Sequence, residues 1–286
     1  MDARSLRRKA KNGLNRLPAP VRDRVAAASL RGYEWYVAFR SNNDEPEEVE
    51  GLPVPPPNLR VKVVGHTDLL LFMIAGKLEN DIVREALERS GSGGVDGPKR
   101  ILDWGCGCGR VLRWWKDMPD VAISGCDYDP QLVEWVDRNL GFASAEVNQL
   151  APPLPYADDS FDFVYAISIF THLTDDLAIA WMREIKRVLA PGGSFFFTTH
   201  GESYRDRLNP EELARFDAGG SVVQFASTEG SNLCAAFSPR SWVESNLLEG
   251  FELVELQQHH ELDDPENAPL AQDRWLIRKL EPEPAS

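Results

Sequence analysis

Short apolar runs and amphipathic segments alternate through the middle of this chain. Ile101–Trp104, Val121–Asp127, Ser160–Ser168 and Ser194–Thr199 each have the length and β-branched or aromatic content of a strand, and Ala143–Val147 is a short strand candidate. Between them, Gln131–Asn139 sets Leu132, Trp135 and Val136 on one helical face, with Pro130 suited to the first turn. Trp181–Ala190 reads as a second amphipathic helix, ended by a Pro191-Gly192-Gly193 turn. Upstream, Leu59–Val64 reads as a short strand and Leu69–Arg89 as a helix capped by Thr67 or Asp68. Ser90–Pro98 is a glycine-rich loop. Downstream, Gly201–Phe237 breaks the alternation with a helical stretch over Pro210–Phe216, a Gly219-Gly220 break and a polar segment over Gln224–Asn232. Ser238-Pro239-Arg240 opens a helix through Leu248, and Phe251–Gln257 with Arg274–Lys279 read as an antiparallel closing pair. Strands alternating with helices predict an α/β fold: a mostly parallel sheet with helices on both faces and an antiparallel closing strand.

Composition narrows this picture. A chain of 286 residues can hold one large core with appendages. It has no apolar run of transmembrane length, and its basic start lacks the apolar core of a secretory signal, so a cytoplasmic protein is expected. The net charge of −14 argues against a general nucleic-acid binder. The charge is unevenly spread: residues 1–40 hold ten Lys/Arg against three Asp/Glu, or +7, which leaves −21 on the remaining 246. This basic arm could touch an anionic membrane surface, a nucleic acid or an acidic partner, or pack Tyr33, Trp35, Tyr36 and Phe39 on the body. Residues 41–57, with five acids and five prolines, read as a linker without a regular element. The chain then divides into an arm and linker (1–57), a strand-and-helix lead-in (58–98), a main domain (99–280) with an insertion at 201–237, and a tail (281–286). Four cysteines do not make a disulfide framework, and the Cys106/Cys108 spacing is too tight for an ordinary zinc pair, so no metal is expected.

The chemistry concentrates in Ile101-Leu102-Asp103-Trp104-Gly105-Cys106-Gly107-Cys108-Gly109-Arg110. A strand entering a glycine turn offers bare backbone to a nucleotide-like ligand. The dinucleotide fingerprint G-x-G-x-x-G fails here, because its third glycine falls on Arg110 or Leu112; a P-loop fails for want of Gly-Lys-Ser/Thr. Asp103, two residues before the first glycine, would repel a pyrophosphate and suits a ligand with a cationic end. This D-x-G-x-G-x-G run resembles the first motif of the class I S-adenosylmethionine-dependent methyltransferases. Asp127, 22 residues after Gly105 at the end of the next strand, stands where a carboxylate reaches ribose hydroxyls. Asn148-Gln149-Leu150 and the late Leu189-Ala190-Pro191-Gly192-Gly193 turn agree with the same family. The resemblance covers residues 99–200.

S-adenosylmethionine is therefore the implied cofactor. The resemblance places its contacts at Asp103, Trp104, Gly105, Cys106, Gly107, Gly109, Asp127, Tyr128, Asn148, Gln149 and Ser168. Asp103 would meet the amino group, Asp127 the ribose and Asn148 the adenine edge. Phe170–Leu173, Thr198–Gly201 and Gln272-Asp273 echo a bacterial subgroup that accompanies glycan or natural-product assembly, which implies a small-molecule or glycan hydroxyl as acceptor. His172, after the fourth strand, and His200, after the fifth, are the candidate catalytic bases, with Tyr204 and Arg205 expected in the same pocket. His66 could face the cofactor, while His259 and His260 are expected to be exposed. Tyr165-Ala166-Ile167-Ser168 lacks the pattern that nucleobase amino methyltransferases use, and Asp175 and Asp176 read as first-turn acids of a helix rather than metal ligands. Two alternatives stay open: a protein or RNA methyltransferase engaging its acceptor through the basic arm, and a cofactor-binding scaffold without turnover.

Overall fold

The computed structural model describes residues 46–92, 97–265 and 270–281, with single positions at 21, 28 and 32. The basic arm, its four aromatic residues and the tail beyond 281 lie outside the described residues. A seven-stranded sheet has the order β10-β11-β7-β6-β3-β4-β5. Its strands are β3 (Arg100–Trp104), β4 (Ala122–Asp127), β5 (Ala143–Val147), β6 (Phe161–Ala166), β7 (Leu189–Thr199), β10 (Phe251–Gln257) and β11 (Asp273–Lys279). All neighbours from β7 to β5 pair in parallel, and β11 runs antiparallel to both β7 and β10.

Period-two alternation sorts the strand side chains into two cores. Leu102, Trp104, Val164, Ala166, Phe195 and Phe197 face one layer, built on α4 (Asp175–Val188) and α6 (Arg240–Asn246) through Trp181, Ile185, Val243 and Leu247. Ile101, Phe163, Tyr165 and Phe196 face the other layer, built on α2 (Leu69–Ser90) and α3 (Pro130–Asn139). Burial on both faces is what a parallel sheet requires of near-continuous apolar strands. The chain leaves β3 for β4 and β5 and then returns to β6 on the other side of β3. That reversal opens a crevice at the carboxyl ends of the strands.

Several elements differ from the sequence expectation. Leu59–Val64 is not a strand: α1 (Pro57–Val64) is a helix, with Pro57 in its first turn and Gly65 in the left-handed conformation closing it. Arg60, wholly buried, secures it by donating to the carbonyls of Pro55 and Thr67. The acidic linker contains a minimal hairpin, β1 (Glu48–Val49) and β2 (Leu52–Pro53), because Glu50 and Gly51 both take positive φ as a type I′ turn demands. Its carbonyls accept from the buried guanidinium of Arg113. Beyond the glycine turn there is only a 3₁₀ turn, Leu112–Trp115, since Pro119 lies too close for an α-helix to extend. The helix expected at Trp181 starts six residues earlier, at Asp175, and Pro191–Gly193 lie within the bulged start of β7. Asp68 caps α2 through the Leu71 amide. Pro239, rather than Ser238, occupies the cap position of α6. The insertion holds α5 (Pro210–Asp217) and a second hairpin, β8 (Val222–Gln224) with β9 (Ala235–Phe237).

Candidate functional site

The crevice above β3, β4 and β6 is a cavity of about 1150 Å³. That exceeds the roughly 300–1,000 Å³ of an ordinary ligand pocket and leaves room for two reactants side by side. Its floor is the glycine turn. Gly105, Gly107 and Gly109 all have positive φ, and the amides of Gly105 and Cys106 donate to the Cys126 carbonyl at the end of β4. A Cβ on Gly105 would lie 2.1 Å from Ile169 Cδ1, and one on Gly107 2.7 Å from Val63 Cγ2. These glycines therefore serve close approach by the cleft walls as well as the bend. Gly109 differs from the expectation, since it does not line the cleft and faces Leu140 instead. The other ten expected cofactor positions all line the cavity, so residues from Asp103 to Ser168 meet in one place.

The carboxylates have distinct surroundings. Asp103 is buried; its Oδ2 has no partner, while Tyr165 hydrogen-bonds to the carboxyl group. Trp115 Nε1 donates to the Tyr165 hydroxyl at 2.9 Å, so the phenol is oriented to donate onward. Burial, opposed by Tyr165 and the charge of Arg110, pushes the Asp103 pKa up to about 7. Asp127 accepts from the Gly107 amide at 3.0 Å and the Asp129 amide at 2.9 Å, tying the glycine turn to the end of β4. Burial raises it to about 6. Asn148 donates through Nδ2 to the Gln149 carbonyl, and its buried Oδ1 has no partner. Tyr128 is 46% exposed at the rim. Ser168 holds a strained φ of 62° at the end of β6, fixed by Thr198 and Gln272: its amide donates to Thr198 Oγ1 and its Oγ accepts from Gln272 Nε2 at 2.9 Å.

His172 and His200 both line the cavity. His172 Nδ1 lies 2.6 Å from the Cys234 carbonyl and His200 Nδ1 3.1 Å from that of Ala236. A carbonyl only accepts, so each Nδ1 carries the proton and each Nε2 is the acceptor. Burial lowers the pKa of both rings; for His200, with His172 adding to the effect, it falls to about 3. Both rings are thus neutral at pH 7.

Other expected positions are corrected. Tyr204 and Arg205 do not line the cavity; Tyr204 packs against His200 with tilted rings whose centroids are 4.0 Å apart, and Arg205 pairs with Glu202 and Asp217. Arg207 takes the place expected of Arg205. His66 does not line the cavity. His259 is buried rather than exposed, since its ring meets Ser203 Oγ at 2.7 Å. Lys62–Gly65 of α1, the Gly230–Leu233 loop and Gln272 are walls that sequence reasoning did not assign; only the Gln272-Asp273 echo signalled any of them. Thiols of Cys106 and Cys108 are raised by burial, Cys108 to about 12, which makes them inert. Among the described residues no three His, Cys, Asp or Glu side chains are grouped to hold a metal ion, and no helix is long and apolar enough to cross a membrane.

Comparison with known proteins agrees with this architecture. Residues 101–193 match a family model described as a methyltransferase domain. The chain is 35% identical over 104 residues to methyltransferase GfsG of Streptomyces halstedii, covering 35% of this chain but only 37% of that protein. It is 26% identical over 227 residues to a malonyl-[acyl-carrier protein] O-methyltransferase of Paenibacillus sp. (strain JDR-2), covering 75% of this chain and 74% of the relative. Among solved structures it resembles an S-adenosylmethionine-dependent methyltransferase from Mesorhizobium loti, at a TM-score of 0.54 and 18% identity, over 70% of this chain and 96% of that one.

Proposed function

We propose that this chain is a class I S-adenosylmethionine-dependent methyltransferase, a reading supported by the methyltransferase-domain match over residues 101–193, and that it transfers a methyl group to a hydroxyl of a small molecule or glycan. The observation that carries the donor half is the partnerless Asp103 Oδ2 on the cavity floor, beside bare glycine backbone. A buried carboxylate oxygen without a partner is costly unless a ligand supplies the donor. An ammonium does so, and S-adenosylmethionine carries one. Asn148 Oδ1, equally partnerless, fits the adenine amino group. Asp127 accepts from the backbone amides of Gly107, Asp129 and Tyr128, and its two oxygens offer about four lone-pair sites, which leaves capacity for a ribose hydroxyl.

When bound, S-adenosylmethionine supplies an electrophilic methyl on a sulfonium. The chain's part is to align the acceptor, exclude water and take one proton. The acceptor hydroxyl would have to give up its proton, and His172 Nε2 would receive it. A neutral ring with Nδ1–H held by Cys234 is set for that role, with His200 as a second acceptor in the same wall. Several relatives are named as O-methyltransferases, which supports oxygen as the receiving atom, while others are named for nitrogen, carbon or tRNA methylation.

Calorimetry with S-adenosylhomocysteine tests the donor half. Wild-type protein should bind, and Asp103→Asn should lose at least about tenfold, the low end for a charge-assisted contact. Equal affinities would remove Asp103 from the site, and absence of binding to the wild type would overturn the function.

A further inference from the structure

The two ends of the cavity differ in charge. At the glycine turn stand Asp103, Asp127 and Asp129, with Lys62 paired to Asp129 at 2.6 Å and Arg110 paired to Glu79. Those three are the only carboxylates among the described lining residues. The opposite end, formed after β6 and β7, offers hydroxyls, two neutral imidazoles and the guanidinium of Arg207. Arg207 therefore holds the formal charge of that end, in a protein whose net charge is −14.

Arg207 is also unpaired among the described residues. Its neighbour Arg205 is taken up by Glu202 and Asp217, whereas no carboxylate among the described residues pairs with Arg207. Its guanidinium lies over the Tyr204 ring, 4.5 Å from the centroid, and the same ring packs against His200. One phenol thus touches both the cation and one of the two imidazoles, that of His200. The stack costs the guanidinium none of its N–H donors, so its fork stays open to a planar, two-oxygen anion.

We propose that the methyl acceptor is an organic anion, a hydroxy acid whose carboxylate is held by Arg207 while its hydroxyl faces His172 and His200. A guanidinium with no second cation beside it among the described lining residues of that end matches the one charge of a carboxylate better than the near-double charge of a phosphate monoester. The arrangement also helps the chemistry. A carboxylate near the imidazoles favours their protonated form, offsetting the burial that otherwise opposes proton uptake. The inference takes its reaction from the methyl-donor reading; the anion site itself does not depend on it.

Calorimetry on the full chain, with and without S-adenosylhomocysteine, would use hydroxy acids matched to their neutral amides: salicylate and salicylamide, para-hydroxybenzoate and para-hydroxybenzamide, lactate and lactamide. At least one acid should bind about tenfold more tightly than its amide, as one charge-assisted pair provides. Arg207→Gln should abolish that preference while leaving S-adenosylhomocysteine affinity unchanged, and Arg207→Lys should keep part of it. No acid preferred over its amide, or a preference that survives Arg207→Gln, would overturn the proposal. Failure of S-adenosylhomocysteine to bind the wild type would instead overturn the donor reading, and the acid–amide comparison made without it would still read the anion site.

Discussion

Asp103 ends β3 with one oxygen lacking a partner and with Tyr165, itself oriented by Trp115, bonded to the carboxyl group. With its pKa near 7 it is largely neutral at pH 6 and charged at pH 8. A cationic ligand prefers the charged form. Affinity for S-adenosylhomocysteine should therefore rise from pH 6 to pH 8, with proton release at pH 6.5, seen by calorimetry in buffers of different ionisation enthalpy; Asp103→Asn should be nearly flat over that window. The stability effect has the opposite sign. A carboxyl whose folded pKa is raised from 3.8 to about 7 binds a proton that the unfolded chain has released, so stability falls as pH climbs through that interval. Asp103→Asn should melt no lower than wild type at pH 8 even as binding is lost. Sequence placed Asp103 but not Tyr165, because the contact depends on which face of β6 that residue occupies. For His172→Ala we expect methyl transfer to fall about a hundredfold or more, the usual scale for a lost general base. Near-normal turnover would leave the ring only a wall.

The elements follow local signals where those signals are unopposed. β5 matches its expected range, and α3 adds only Pro130 at its start. Leu59–Val64 has strand-like composition, yet α1 is a helix, decided by Pro57 at one end, Gly65 at the other and the long-range placement of Arg60. The positive φ at Glu50 is similarly invisible in a run of acids and prolines. α2 offers a test in which propensity and packing disagree. Gly76→Ala should stabilise an ordinary helix by about 1 kcal/mol. Here the added Cβ would lie 2.3 Å from the Arg110 backbone carbonyl, which cannot swing aside. We expect a net loss of about 1–3 kcal/mol in urea unfolding, the usual range for overpacking. A gain in stability would mean that α2 and the glycine turn are not in such close contact.

Across the whole molecule, the cavity is closed by two parts of the chain far apart in sequence. Asn232 in the insertion donates to the Lys62 carbonyl of α1 at 2.7 Å, joining the two walls above the glycine turn. Ligand at about a hundred times its Kd should stabilise the wild type by about 2.7 kcal/mol, a melting shift of several degrees. Asn232→Ala removes one neutral hydrogen bond, worth about 1 kcal/mol, so release of S-adenosylhomocysteine should quicken about fivefold in stopped flow without loss of the fold. An unchanged release rate would show that the bridge does not limit exit.

Sequence by itself determined the parallel sheet, the position of the glycine turn and the carboxylates at the ends of β3 and β4. Each is written in local grammar: period-two or continuous apolar runs, an acid at a strand end, glycine where φ must be positive. Tertiary structure decided which walls face that turn. α1, the Gly230–Leu233 loop and Gln272 reach the cavity only because the sheet order brings distant loops to one edge. It also decided which arginine is available, since Arg205 and Arg207 differ in their partners and not in their chemistry. Pairing and burial are properties of neighbours in space, and a linear chain does not record them.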